Sequence, residues 1–240
     1  MTAVRFLPAN RLLRVLVAAL LALACAVAAY EGSILARIVW WRTHEPPSTA
    51  FMRARLAALR RKDPRASLER TWAPYERISL DLKRAVVAAE DAKFLSHEGF
   101  DWEEIRKARE RNEERGRIVR GASTISQQLA KNLFLSSRRS WLRKGQEAVI
   151  TLMIEAVLDK RRILELYLNL IEWGERTFGA EAAARRHFGT SAAALTAEEA
   201  ARLAAMIPNP RYYDRRGTTP YLERQAAVIR ARMEQVRVPR

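Results

Sequence analysis

From residue 12 to residue 30 the chain reads LLRVLVAALLALACAVAAY, an apolar run interrupted only by Arg14. Residues 15–30 carry no charge, and residues 34–41 extend the apolar character past Glu31. A helix needs about 20 mostly apolar residues to cross the hydrocarbon core of a bilayer, so this run predicts a membrane-spanning helix. Arg5, Arg11 and Arg14 ahead of it favour an inside N-terminus, although Arg37 and Arg42 behind it weaken the contrast. Trp40 and Trp41 suit the far interface. A cleaved signal peptide is the rival, since Ala26-Val27-Ala28 fits a cleavage site. Lipid modification of Cys25 is a weaker rival, because Ala22 stands where a bulky aliphatic residue is expected. In each case the bulk of the chain is exported.

Beyond the apolar run, residues 43–49 with Pro46-Pro47 read as a short stiff linker, and a basic stretch follows over residues 53–70. The globular pattern begins near Ile78, and from there the periodicity is helical almost throughout, with no run of alternating strand positions. A helix is predicted over 80–92, with Ser79 as cap and Leu82, Ala85, Val86 and Ala89 as its inner stripe. Residues 103–120 are charged and are expected to contain a mobile loop. Thr124-Ile125-Ser126-Gln127 fits a capping box at the start of the next helix. A helix over 141–158, apolar across AVITLMIEAVL, is expected to run through the core. Further helices are predicted over 163–171, over 180–187 before Gly189, from the Thr196/Glu199 cap to Pro208, and over 221–235. The expected organisation is a cytoplasmic stub, anchor and interfacial segment over 1–42, a linker and basic segment over 43–77, and one all-α domain over 78–240. Removing residues 1–42 is expected to leave that domain folded, with Arg53, Arg55, Arg60 and Arg61 near the lipid headgroups.

Charge narrows the function classes. The 240 residues carry a formal net charge of +16, which asks for nucleic acid, an anionic membrane surface or a phosphate-bearing substrate. An exported, anchored chain rarely meets nucleic acid, so that partner is set aside. Three scattered histidines (His44, His97, His187) and the one cysteine give no zinc-ligand spacing and no intramolecular disulfide.

Three clusters carry candidate chemistry. Glu90 shares a helix face with Leu82 and Val86, so its carboxylate sits at the end of an apolar stripe and suits a general base. The plainer reading pairs it with Lys93 as an ordinary helix-terminal acid. Thr124, Gln127, Gln128 and Lys131 flank the Ile125/Leu129/Leu133 face and are expected to point polar groups into a common space for phosphate or sugar oxygens. A well-capped helix with a solvated side explains the same pattern. Arg138, Arg139, Arg143 and Lys144 precede the most apolar helix, with Glu147 four and three residues after the last two. Helical ion pairs worth tenths of a kcal/mol explain that spacing. A pyrophosphate site explains why the cations gather there.

Taken together, these blocks resemble the biosynthetic peptidoglycan glycosyltransferases, including the equivalent domain of bifunctional penicillin-binding proteins. Five stretches carry the resemblance in order: Glu90-Asp91-x-x-Phe94-x-x-His97-x-Gly99; Gly121-x-Ser123-Thr124-Ile125-x-Gln127-Gln128-x-x-Lys131-Asn132; Arg143-Lys144-x-x-Glu147; Lys160-x-x-Ile163-Leu164-Glu165-x-Tyr167-Leu168-Asn169; and Phe178-Gly179 through Ala184 to Phe188-Gly189. His187 and Thr190 depart from the tyrosine and lysine expected in the last. The resemblance implies a lysozyme-like, two-lobed all-α fold. It implies that Glu90 takes the proton from an acceptor sugar 4-hydroxyl, with Asp91 in support. It implies that Lys131, Arg139, Arg143 and Lys144 neutralise the pyrophosphate of a lipid-linked disaccharide-pentapeptide (lipid II). Ser123, Gln127, Gln128 and Asn132 would line the donor side. Glu147 would order the cations and, with them, a divalent cation such as Mg or Mn. The implied product is a β-1,4 glycan strand made with inversion at the outer face of the bacterial cytoplasmic membrane. Implied partners are that membrane, the growing strand, and cell-wall synthesis or division proteins. No Ser-x-x-Lys occurs, so a penicillin-binding transpeptidase nucleophile is absent and a monofunctional enzyme is expected. A lysozyme-like hydrolase and an inactive cell-wall scaffold are the alternatives; the first leaves the cations without a task.

Overall fold

The structure, a computed structural model, describes residues 9–116, 123–136 and 140–240. Among these the chain forms α1 (Ala9–Trp40), α2 (Ala50–Arg60), β1 (Glu69–Arg70), α3 (Leu80–Glu90), α4 (Trp102–Glu114), α5 (Ile125–Phe134), α6 (Trp141–Val157), α7 (Lys160–Leu170), β2 (Thr177–Phe178), α8 (Ala180–Phe188), α9 (Ala197–Met206), α10 (Pro210–Arg216) and α11 (Pro220–Met233). The expected all-α class is observed. The one sheet among the described residues pairs Glu69 with Thr177 and Arg70 with Phe178, in parallel. Two residues per strand are too few to leave an alternating pattern.

Helix starts follow the local chemistry. Ser79, Asp101, Thr124, Ser140, Asp159, Thr196 and Thr219 each accept a backbone N–H from the first turn of the helix they precede. Thr124 with Gln127 and Thr196 with Glu199 complete capping boxes. Gly189, in the left-handed conformation, ends α8. Residues 103–114 are helical, which the sequence did not predict: they belong to α4, which opens on the Asp101 cap and carries the i,i+4 pairs Lys107–Glu103 and Arg109–Glu113. Residues 117–120, where the expected loop would fall, lie outside the described residues. A helix stabilised by charged pairs has no apolar stripe to reveal it.

Two groups of helices flank the central segment. In one, α3 packs against α9 and α11; in the other, α5 packs against α2, α6 and α7. One continuous core joins them through Leu82, Val86, Phe94, Ile125, Leu129, Ile154, Leu164 and Tyr167. Helix α6 turns only one face, with Glu147, Ile150, Thr151 and Ile154, into that core. Trp141, Leu142, Val149 and Leu152 stay exposed, which corrects the expectation of a central helix. Its apolar composition serves two faces, only one of which is the core.

The chain ahead of residue 78 is built into the same core. Met52, Ala66, Ala73 and Tyr75 are buried, and Thr49 is fully buried where it caps α2. Arg55 makes a two-point ion pair with Glu172, at 2.6 and 3.2 Å, and Arg60 donates to the Ala66 carbonyl. Arg55 therefore ties α2 to the rest of the protein and is not held out for headgroups, whereas Arg60 stays exposed.

The outer end of α1 goes further. Ile34 and Ile38 are fully buried and Trp41 nearly so. Trp41 meets Phe134 at a ring separation of 5.4 Å, Arg37 lies over the same ring, and Arg162 donates to the Trp41 and His44 carbonyls. A chain starting at residue 43 would lose three core side chains, and each such truncation costs about 2–5 kcal/mol. We therefore expect it to melt at least about 10 °C below a chain starting at residue 30. Thermal unfolding of both in detergent checks this. Equal melting temperatures would make the outer end of α1 dispensable.

Candidate active site

Glu90 is the last residue of α3, and Asp91 caps it with its N–H on the Val87 carbonyl. Asp91 turns its carboxylate away from solvent, accepting from His97 Nε2 at 2.9 Å and from the Ile125 N–H at 3.0 Å. His97 Nδ1 in turn accepts from the Gly99 N–H at 3.2 Å, which fixes the proton on Nε2. The Gly99 carbonyl accepts from Thr124 Oγ1 at 2.7 Å. Gly99 has φ +88, and a Cβ there would stand 2.8 Å from Thr151 Cγ2, so only glycine fits. This closed ring explains the spacing of the first two sequence blocks. Asp91, Phe94, His97, Gly99 and Thr124 lock the end of α3 onto the start of α5. Asp91 supports Glu90 through that backbone.

From the locked junction Gln128 reaches Glu90. Its Nε2 donates to Glu90 Oε2 at 2.6 Å, and its Oε1 accepts from Tyr167 Oη at 2.8 Å. Tyr167 is fully buried, and burial, reinforced by Glu90 and Asp91, raises its phenol well above the usual range. It is a permanent donor, so the Gln128 amide can present only its NH2 to Glu90. The sequence assigns Tyr167 no role beyond its place in the fourth stretch of the resemblance, as a phenol on the apolar face of the Leu164/Leu168 helix. Lys93, the partner expected in the plainer reading of Glu90, pairs instead with Glu103.

One turn along α5, Lys131 lies on the same side as Gln128. Burial lowers its pKa; Glu147 pulls it back up, Arg143 and Lys144 push it down, and Glu90 pulls it up. Among the described residues Lys131 forms no ion pair within 4 Å. Its nearest ring is Phe51, 5.9 Å away. The buried Glu147 holds Arg143 at 2.8 Å through one oxygen and Lys144 through the other. Both oxygens being given to cations, Glu147 does not fit a divalent-metal ligand. No cluster of three metal-binding side chains occurs among the described residues.

The other expected site residues divide. Ser123 is exposed and lines the same cavity as Glu90. Gln127 is buried, its Oε1 bonded to the Thr124 N–H in the capping box, so it does not reach the common space assigned to it. Thr124 is drawn inward by the same box. Asn132 is largely buried and donates to the Gln128 carbonyl of its own helix, steadying that turn. Arg139 and Gly121 lie outside the described residues. His187, one of the two departures from the family pattern, packs beside Phe188 and hydrogen-bonds the Trp173 carbonyl at 3.3 Å, apart from the site.

Two cavities meet at this constellation. One of about 430 Å³ is lined by Glu90, Asp91, Lys93, Asp101, Ser123 and Arg232. One of about 230 Å³ is lined by Gln128, Lys131, Asn132, Tyr167, Glu172 and Arg211. A wider groove of about 820 Å³ along α3, α9 and α11 is lined by alanines and exposed charges and holds none of these residues. The arrangement is thus a carboxylate on α3 held by an amide on α5 that a phenol on α7 orients, with cations on α5 and α6.

Residues 57–234 match the family described as Transglycosylase. A protein named biosynthetic peptidoglycan transglycosylase from Methylobacillus flagellatus is 58% identical over 213 residues, 89% of this chain and 93% of its own. One of the same name from Azoarcus sp. is 59% identical over 221 residues, covering 92% and 95%. Another from Bordetella pertussis is 55% identical over 230 residues, covering 94% and 95%. With its carboxylate and cations in place and its length matched almost end to end, this chain belongs to the transglycosylase family.

Proposed function

We propose that this chain is a peptidoglycan transglycosylase that polymerises lipid II into β-1,4 glycan strands with inversion and release of polyprenyl pyrophosphate. The observation that carries the reading is a division of labour: one fixed carboxylate, Glu90, held by Gln128, and two cations, Arg143 and Lys144, paired with Glu147, with Lys131 within electrostatic reach of both groups. The names of the relatives supply the peptidoglycan.

In the proposed step Glu90 accepts the proton of the acceptor 4-hydroxyl as that oxygen attacks the anomeric carbon of the donor. The new C–O bond forms as the bond to pyrophosphate breaks, and its electron pair leaves on the pyrophosphate oxygen. Attack from the face opposite the leaving group turns an α-linked donor into a β-linked product. A glycosidase must protonate a poor alkoxide leaving group and so needs an acid. Pyrophosphate leaves readily once its charge is met, so cations take the place of that acid. Gln128 and Tyr167 hold Glu90 in position, and Ser123 lines the carboxylate cavity.

One helix among the described residues is long and apolar enough to cross a membrane: Leu13–Trp40, with mean hydropathy 2.3 over an 18-residue stretch of it. We read it as a single-pass anchor in the cytoplasmic membrane, with the N-terminus inside and the domain outside.

Product sizing after incubation of the purified full-length protein with lipid II tests this. Long glycan strands and released polyprenyl pyrophosphate are expected, unaffected by penicillin. Shortening of preformed peptidoglycan without strand formation would establish the hydrolase reading, and neither activity the scaffold reading.

A further inference from the structure

The 28 residues of the candidate span extend about 42 Å as a helix, longer than the roughly 30 Å of a hydrocarbon core. The buried Ile34, Ile38 and Trp41 account for the surplus, since they pack into the domain. Glu31 stands at the change from lipid-facing to domain-facing helix. Its Oε1 accepts from Gln146 Nε2 at 2.8 Å, and its Oε2 is buried with no hydrogen-bond partner. A carboxylate on an otherwise apolar helix is costly to keep there without a task.

Gln146 lies between Glu147 and Arg143, the residues that organise the cations. Apart from the buried Glu147, the first two turns of α6 have few side chains in the core. Trp141 and Leu142 are almost fully exposed, and Arg143 and Lys144 bond within their own helix. Among the described residues, Gln146–Glu31 is the one side-chain hydrogen bond from residues 141–147 to another element. Glu147 fixes Arg143 and Lys144 relative to one another. The bond to Glu31 and the packing of α1 on α6 add to the core packing of Glu147 and Ile150 in fixing them relative to the rest of the protein.

We infer that Glu31 is a positioning residue for the donor: through Gln146 it sets where the Arg143/Lys144/Glu147 group stands, making the membrane anchor part of the pyrophosphate site. The inference rests on the proposed reading of those cations as the pyrophosphate-binding group. The sugar-linked pyrophosphate is charged in the ground state and gains further negative charge as the C–O bond breaks, so a displaced cation group weakens its binding and also slows its departure. The signature is a raised KM and weaker pyrophosphate binding, accompanied by a lowered kcat.

The test compares Glu31→Leu, Glu31→Gln, Gln146→Ala and the Glu31→Leu/Gln146→Ala pair in the full-length protein in detergent. Two readouts are used: steady-state polymerisation of lipid II, and direct binding of polyprenyl pyrophosphate in micelles. Glu31→Leu and Gln146→Ala are each expected to raise KM and weaken binding about fivefold to tenfold. The pair should be no worse than either alone. Glu31→Gln keeps an acceptor oxygen and should stay within about twofold of wild type. Wild-type KM and affinity in Glu31→Leu would overturn the inference. So would a Gln variant as impaired as the Leu variant, or a loss confined to melting temperature and kcat, which marks a merely structural bond. A wild-type protein that neither polymerises nor binds polyprenyl pyrophosphate would refute the functional reading, and this inference with it. Normal wild-type behaviour with an unaffected Glu31→Leu would refute the inference alone.

Discussion

Glu90→Gln is expected to lower polymerisation by about a hundredfold to ten-thousandfold, the range typical for loss of a general base. Binding of lipid II should be nearly unchanged. The surroundings make this substitution unusually clean. Gln128 presents only its NH2 toward position 90, because its oxygen is taken by Tyr167. A glutamine at 90 can turn its amide oxygen to that NH2 and keep the hydrogen bond, so the α3–α5 junction stays as it is. What disappears is the capacity to accept a proton from the attacking hydroxyl. Single-turnover measurement with purified variant, alongside its affinity for lipid II, checks both halves. Turnover near the wild-type rate would remove Glu90 from the role of base.

Lys131→Met is expected to make the protein more stable and a poor enzyme. The folded protein lowers the Lys131 pKa below its ordinary 10.5, with burial as the largest cause. At neutral pH the ammonium is therefore charged in a place that disfavours charge, with no ion pair among the described residues. Methionine fills similar space without that cost, and a gain of about 1 kcal/mol is in the range such replacements give. The sign with pH follows from proton counting. Between the lowered folded pKa and 10.5, the unfolded chain holds more protons on Lys131 than the folded one, so wild-type stability rises with pH across that window. The advantage of Met should accordingly be full at neutral pH and shrink on the alkaline side. Activity moves the other way, because the leaving pyrophosphate loses a cation in a partly dry site, at a cost of about a hundredfold to a thousandfold. Denaturation from pH 7 to 10.5, paired with turnover, checks both signs. A variant that is less stable and fully active would make Lys131 a packing residue and not a donor-site cation.

Much of this protein was legible along the chain. Helix periodicity and caps are local: Ser79, Thr124 and Thr196 hydrogen-bond backbone three residues on, so their effect is written within a few positions. The same locality made Glu90 at the end of an apolar stripe, and the Arg143/Lys144/Glu147 group, visible before any fold was known. Where local chemistry was silent, the reading failed. Helix α4 has no apolar stripe, and α2 lies in a segment whose basic composition hid Met52 and the Arg55–Glu172 pair, 117 residues apart.

Within the site, sequence determined which groups are present and tertiary structure decided which way they face. Gln127 and Gln128 are neighbours of one residue type, yet one is buried in a cap and the other holds Glu90. A helix turns about 100° per residue, so adjacent side chains meet different surroundings, and only the packing of α3 and α7 against α5 says which surroundings those are. Tyr167, Gln146 and Glu31 gain their roles from partners 39 and 115 residues away. No spacing along a chain encodes such a pairing. The apolar run at the N-terminus, by its length and composition alone, determined a helix fit to cross a membrane. That one face of the outer end of this helix, with Ile34 and Ile38, is domain core, and that its carboxylate touches the cationic helix, was decided only when α1 packed against α6.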